Sequence, residues 1–366
     1  MTKSLLILIC ISFLQGSSIK NRLAIAGSNR LEIEKAIKQA PKDQRNAMKW
    51  LVLNMPEEDL KKLSSEFLLT NSRLAFEAKE IFIWSKNMPD EIFFDYVLPY
   101  ASLNEKRELW REDFFKKFRP LVENSKSAYE AAAFLNNQIF EILGVKYSTK
   151  RPKADQSPYE SITAGLASCT GLSFLLIDAC RSVGIAARFV GTPMWYNNSG
   201  NHSWVEIWDN GWHFTGAAEP TGTELNDVWF SELAGNAIKG NMEYGIFATT
   251  WSKSHIYFPM DWLPGVKKYR ALDVSDRYIN NYKKSKDLVS VRIRALNADG
   301  LRKVANVTIR GENNYFFEGK SKGETFDSND HLTVMLPKGR IFTVQSDDDI
   351  HVFKVDQSCI IDLSNE

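Results

Sequence analysis

The chain has 366 residues, room for two or three domains at roughly 100–200 residues each. An apolar share of 44% and a charged share of 25% are those of an ordinary globular protein. Lys+Arg 46 against Asp+Glu 45 leaves no basic excess, which argues against nucleic acid or an anionic membrane surface as a partner.

Lys3, an apolar stretch from Leu5 to Leu14, and the small residues Gly16, Ser17 and Ser18 read as a secretory signal peptide over 1–18. Ile9 stands before Cys10 where a lipid-anchoring signal would need a small residue. No later segment reaches about 20 apolar residues, so no transmembrane segment is expected, and the mature protein is expected to be secreted or periplasmic. Cys169, Cys180 and Cys359 remain after the signal, an odd count that invites a free thiol. If Cys169 and Cys180 share a helix, about 1.5 Å per residue sets them roughly 16 Å apart, too far for a disulfide. A Cys180–Cys359 pair stays open.

Residues 19–149 read as a helical N-terminal region. Pro41 and Pro56 suit first helical positions, and Pro89 opens another helix. Ser127 and Glu130 have capping-box spacing before "AAAFLNNQIFEILG". Residues 150–284 change pattern. "LSFLLIDACRSV" is apolar nearly all round, as in a buried helix, and "IAARFV", "HSWVEIW" and "WHFT" read as strands. Residues 285–366 carry short alternating runs, "LVSVRIRAL", "VANVTIRG", "HLTVMLP", "RIFTVQS" and "IHVFKV", spaced as in a small β-sandwich. The fold class is α+β. The sandwich has three open roles: support, glycan contact or protein contact.

Cys169 in "GLASCTGLSFLLIDAC" falls at the start of the buried helix. A thiol there meets the positive end of the helix dipole and unpaired backbone N–H groups, which favour thiolate and can hold an oxyanion. Taken alone, Cys169 reads as a small buried residue. Some thirty residues on, His202 opens a strand in "GNHSWVEIWDNGWHFTGAAEP", and the pair together is the pattern of nucleophile and base.

"SCTGLSFLLIDACRSVGIAARFVG" followed by "NHSWVEIWDNGWHF" resembles the transglutaminase-like superfamily, which includes transglutaminases, peptide N-glycanases and related bacterial proteases. The resemblance covers about residues 157–220. It implies a papain-like core, Cys169 as nucleophile and His202 as general base and acid. It also implies an aspartate at the end of the strand after the histidine strand, a place that Gly216 occupies here.

Glu219 is the candidate replacement. A two-residue Asn210-Gly211 turn sets Asp209 opposite Trp212, Glu206 opposite Thr215 and His202 opposite Glu219. A three-residue turn sets His202 opposite Ala218 instead. Asp227 is a more distant alternative. Glu206 reads as structural or substrate-facing, and His213 as a half-buried strand residue. Trp195 and Asn201, in the loop before His202, are candidate substrate contacts or packing groups. Zinc-type spacing of Cys and His is lacking, and so is a Gly-x-Ser-x-Gly elbow, so no metal and no cofactor is expected. The reading is a cysteine-dependent acyl-transfer enzyme acting on amide bonds of peptides or proteins, by hydrolysis rather than transamidation. The rival is a catalytically silent domain of the same fold that binds peptide or glycan.

Overall fold

The computed structural model describes residues 19–282, 287–347 and 349–364. The expected signal peptide and the junction expected at 284/285 lie outside them. Nine helices open the described chain: α1 (19–26), α2 (Arg30–Gln39), α3 (Arg45–Asn54), α4 (Glu57–Leu60), α5 (Ser65–Ile81), α6 (Ile83–Lys86), α7 (Asp90–Tyr96), α8 (Trp110–Val122) and α9 (Ala128–Leu143). The helical-period apolar residues of α1 to α7, such as Met48, Leu51 and Val52, pack mainly into one cluster that also takes in Ala186 and Trp251 from farther along the chain. Pro56 and Pro89 sit one place before the first helical residue, as N-caps of α4 and α7. Pro41 instead precedes a turn, and α3 begins only at Arg45. Half of the expected capping box forms. Ser127 Oγ accepts from Glu130 N, but the Glu130 carboxylate turns to Lys126 N.

Two buried guanidiniums tie these helices to the rest of the core. Arg111 of α8 donates to Asn71 Oδ1 and to the carbonyls of Val97 and Arg181. Arg181 donates to the carbonyls of Tyr96, Ala101 and Ala187. Burial lowers Arg111 to a pKa of about 9, and without these acceptors the buried charge would be costlier still.

The next unit begins with β1 (Lys146–Tyr147), α10 (Pro158–Ala164), β2 (Leu166–Ala167) and α11 (Cys169–Ser182). Every residue of α11 after Cys169 is buried. The helix packs against α8 and α9 on one side and against a six-stranded antiparallel sheet on the other. The sheet comprises β3 (Ala187–Thr192), β4 (His202–Trp208), β5 (Trp212–Thr215), β6 (Phe247–Thr249), β7 (Ile256–Tyr257) and β8 (Arg270–Asp273) in the order β5-β4-β3-β6-β8-β7. Two short helices, α12 (Ser231–Gly235) and α13 (Ser275–Asn281), flank it.

The remaining strands are β9 (Leu288–Leu296), β10 (Arg302–Lys303), β11 (Asn306–Gly311), β12 (Phe316–Lys320), β13 (Leu332–Pro337), β14 (Ile341–Ser346), β15 (Asp349–Lys354) and β16 (Cys359–Ser364). They form two four-stranded sheets, β9 with β10, β13 and β16, and β12-β11-β14-β15. Alternate residues, among them Val291, Ile293, Val307, Ile309 and Val344, fill the space between the sheets. This is the sandwich that the period-two runs predict. Cys169, Cys180 and Cys359 are all free thiols, so the open Cys180–Cys359 pair does not form.

Candidate active site

Gly165 ends α10 in the left-handed region at φ 65°, and β2 carries the chain straight to the start of α11. Ser168 caps α11. Its Oγ accepts from Gly171 N at 3.1 Å and donates to Ala154 O at 2.6 Å. Cys169 is therefore the first helical residue, half-buried, at the positive end of a helix of 14 residues. Next to it, Thr170 Oγ1 lies 3.2 Å from Ser203 Oγ, the neighbour of His202. This hydrogen bond ties the start of α11 to the start of β4 and so fixes the spacing of the cysteine and the histidine.

His202 opens β4 opposite Thr192 and is only 1% exposed. Trp204, Phe230, Trp229 and Trp195 enclose its ring, with centroids 4.9–6.1 Å away. Two carboxylates flank it. Glu219 Oε2 is 3.5 Å from Nε2, and Asp327 Oδ2 is 3.5 Å from Nδ1. Both distances exceed a formed hydrogen bond, and both ring nitrogens are without one, so the coupling is electrostatic. Burial pulls the imidazole pKa down, but Glu219 and Asp327 outweigh it and hold His202 well above 6.5. For Asp327 burial pushes upward, and the neighbouring imidazolium reverses this and holds the carboxyl below its ordinary range.

Glu219 reaches His202 by a different route from the expected one. The hairpin closes with Trp208 opposite Trp212 and runs through Glu206 opposite Phe214 to Val205 opposite Thr215, so the loop has three residues and the two-residue register is wrong. Asn210 takes the left-handed conformation at φ 54°, and Trp208 and Trp212 meet edge-on across the strands at 5.4 Å. Arg188 lies over the Trp212 ring at 3.7 Å, which holds that indole in this register. Pairing stops at Thr215. A tight turn comes next, with Glu219 N donating to Gly216 O and Ala218 left-handed at φ 63°. Asn136 of α9 anchors that turn. Its amide nitrogen donates to Thr215 Oγ1 and Gly216 O, each at 2.9 Å, and its oxygen accepts from Ala218 N at 3.0 Å.

Gly216 explains the departure from the expected aspartate. A Cβ at that position would stand 1.9 Å from Glu219 Oε2. The Glu219 carboxylate thus occupies the space that a side chain at 216 would take. Trp229 Nε1 donates to Oε2 at 2.8 Å and keeps it there.

Asp327 carries no local sequence signal and is absent from the expected site residues. It lies in the connection between β12 and β13 of the sandwich, buried at 3% exposure. Its Oδ1 accepts from Asn329 N at 2.9 Å. Arg302 donates to the carbonyls of Phe326, Asp327 and Asp330, clamping the segment. Asn329 Nδ2 donates to Asn201 O at 2.8 Å, joining the segment to the residue before His202. The sulfur of Cys169, a nitrogen of His202 and an oxygen of Asp327 lie within 4.8 Å of one another.

Trp195 is a correction. At 1% exposure it stacks on Trp204 and Phe230 behind His202 and offers no face to a substrate. Asn201 is half-buried and hydrogen-bonded to Asp261 on one side and Asn329 on the other, so it braces the rim. Glu206 is structural. Fully buried, it accepts from Arg188 at 2.7 Å, Tyr278 at 2.8 Å and Arg277. His213 is half-buried, with Nδ1 3.0 Å from Asn226 Nδ2. Asp227 is exposed, and its backbone carbonyl accepts from Thr221.

A cysteine at a helix start, a histidine at the head of the adjacent strand and an antiparallel sheet behind them define a papain-like core. Residues 117–216 match the model of the transglutaminase-like superfamily, so this segment is a transglutaminase-like core. Among solved structures, a candidate cysteine protease from Cytophaga hutchinsonii is similar at 18% identity and TM-score 0.30, covering 38% of this chain and 45% of its own. Red sea bream transglutaminase is similar at 9% identity and TM-score 0.32, covering 75% of this chain and 65% of its own. A C-terminal fragment of the Lactobacillus rhamnosus pilus adhesin SpaC gives 12% identity and TM-score 0.17, covering 46% of this chain and 74% of the fragment. This chain thus spans less than half of the Cytophaga protein. No curated protein matches it.

Proposed function

We propose that this chain is an exported cysteine hydrolase that cleaves amide bonds of peptides or proteins by acyl transfer. The observation that carries the reading is the Glu219 carboxylate in the space vacated at Gly216, 3.5 Å from His202 Nε2. It supplies an orienting acid where the resemblance alone left none, and so favours catalysis over silent binding.

In this mechanism the Cys169 thiolate attacks the amide carbonyl carbon, forming a C–S bond. The oxyanion is held at the start of α11, where the Cys169 amide is one of the first-turn donors. His202 gives its proton to the departing amine as the C–N bond breaks. A water then attacks the thioester, His202 accepts its proton, and the acid leaves with the thiolate restored. Glu219 keeps the imidazole in position and stabilises its charged form. Water as acceptor is the economical choice, and an amine in its place would make the same chemistry a transamidation.

Iodoacetamide tests the reading. The folded protein should alkylate at Cys169 faster than the unfolded chain, and Cys169→Ala should abolish both that labelling and any amide cleavage. Cys180 is the internal control, since burial pushes its thiol well up and Cys180→Ala should leave chemistry intact. Equal alkylation rates for folded and unfolded protein would favour the silent domain.

A further inference from the structure

We propose that Cys169, His202 and Asp327 form a binding site for a borderline-soft divalent cation, with Zn²⁺ as the best match, which closes the thiol–imidazole pair when loaded. The donor set is one thiolate, one imidazole nitrogen and one carboxylate oxygen, with all three atoms within 4.8 Å of one another. Soft thiolate and imidazole ligands select zinc over calcium or magnesium. Zinc bonds of about 2.0–2.3 Å in tetrahedral geometry give ligand–ligand edges of roughly 3.4–3.6 Å. The Nδ1–Oδ2 separation is 3.5 Å. That edge is already made. The longest spacing, no more than 4.8 Å, needs to close by at most about 1.2 Å.

The surroundings also suit a metal. His202 is 1% exposed, yet neither ring nitrogen has a hydrogen bond. A cation at Nδ1 would take the place of the proton that Asp327 now faces at 3.5 Å. On the far side Nε2 faces Glu219, itself fixed by Trp229 Nε1, which is the carboxylate–histidine support that metal-binding histidines commonly have. Asp327 is likewise prepared. Oδ1 is held by the Asn329 amide, and Oδ2 is the oxygen turned toward the imidazole. Three protein ligands leave a fourth tetrahedral position for water. The thiolate and the carboxylate together offset the charge of the cation.

Binding of the ion rests on this geometry alone, while the loss of activity it would cause rests on the proposed hydrolase reading. The two are separated by titrating the full chain, reduced and freed of metal by a chelator, with Co²⁺ as a spectroscopic probe and then with Zn²⁺ in competition. One equivalent of Co²⁺ should bind with a thiolate-to-cobalt charge-transfer band, and Zn²⁺ should displace it and block iodoacetamide labelling of Cys169. Cys169→Ala should lose the band, whereas Cys180→Ala and Cys359→Ser should keep it. The near-isosteric Asp327→Asn should weaken binding at least 10-fold while circular dichroism reports an unchanged fold. A chain that takes up no cobalt, or a band that survives Cys169→Ala or is unmoved by Asp327→Asn, would overturn the site. Tight binding by a chain with no amide-cleaving activity even when metal-free would leave the site standing and sink the hydrolase reading.

Discussion

Adding one methyl group at Gly216 should disable the site without unfolding the protein. The Cβ of Gly216→Ala would stand 1.9 Å from Glu219 Oε2 and 3.0 Å from Glu219 Cβ. The backbone there is not left-handed, so alanine is sterically acceptable to the main chain. The flexible carboxylate must give way. Retreat to an ordinary contact moves Oε2 by about 1.5 Å, and if it moves directly away from His202 the separation grows from 3.5 Å to about 5 Å. At an effective dielectric constant of about 20, the attraction falls from about 4.7 to about 3.3 kcal/mol. That difference is about tenfold in any rate that depends on the imidazolium. The lost Trp229 hydrogen bond would add to it, and the ceiling is the roughly 10⁴-fold cost of losing an orienting carboxylate from a serine triad. We therefore expect kcat on a peptide substrate to fall by about 10- to 10³-fold, with circular dichroism unchanged. The exchange Gly216→Asp with Glu219→Ala returns a carboxylate from the other side of the same space and should recover much of the loss. Parent-level turnover in Gly216→Ala, or no recovery in a folded double variant, would refute the assignment of Glu219.

Glu206 should act on stability rather than chemistry: Glu206→Gln leaves the buried Arg188 short of its charge partner, at a cost of about 3–5 kcal/mol in urea unfolding. Burial raises the Glu206 pKa, but Arg188 and Arg277 outweigh it and hold it below 4.5. The stabilisation is therefore complete above the unfolded value of about 4.3 and drains away as pH falls through the folded one, so the parent should weaken in acid more steeply than the variant. Parallel pH profiles would contradict this. Asn136→Ala should cost about 3 kcal/mol, from three hydrogen bonds at about 1 kcal/mol each, and loosen the turn that delivers Glu219. Turnover should then fall while KM stays near the parent value, and an unchanged kcat would show that the turn holds its shape without the amide.

Much of this site is written locally in the chain. The apolar run of α11 announces a buried helix, and Ser168 before Cys169 supplies its cap. The alternation of β9 to β16 announces a two-layered sheet. Glu219 is harder. An Asn-Gly pair serves both two- and three-residue hairpin loops, and contacts that Trp212 makes outside the hairpin, with Tyr96 and Arg188, favour the longer one. Glu219 comes within 3.5 Å of His202 although the strand register that suggests it is wrong, because the turn after Thr215 brings it back. Trp195 fails for the opposite reason. A loop aromatic can point in or out, and only the stack on Trp204 and Phe230 decides. Asp327 is illegible, since a residue 125 positions beyond His202 has no spacing rule to announce it.

The parallel pairing of β16 with β9 has a consequence for the order of events during synthesis. β9 is central in its sheet, with β13 and β10 along one side and β16 along the other. A nascent chain that has passed Asn281 already holds the cysteine, the histidine, the glutamate and all six strands of the sheet behind them, and such units tend to fold as they emerge from the ribosome. Asp327 and its Arg302 clamp come later, and the sheet next to them stays one strand short until Ser364 has been made. The thiol–imidazole pair therefore spends an interval, seconds at ordinary rates of elongation, with its sandwich-side wall unbuilt. Ribosome-arrested chains of increasing length, probed with a thiol reagent at Cys169, should be most reactive when arrested between Asn281 and β13 and should quieten once β16 is in place.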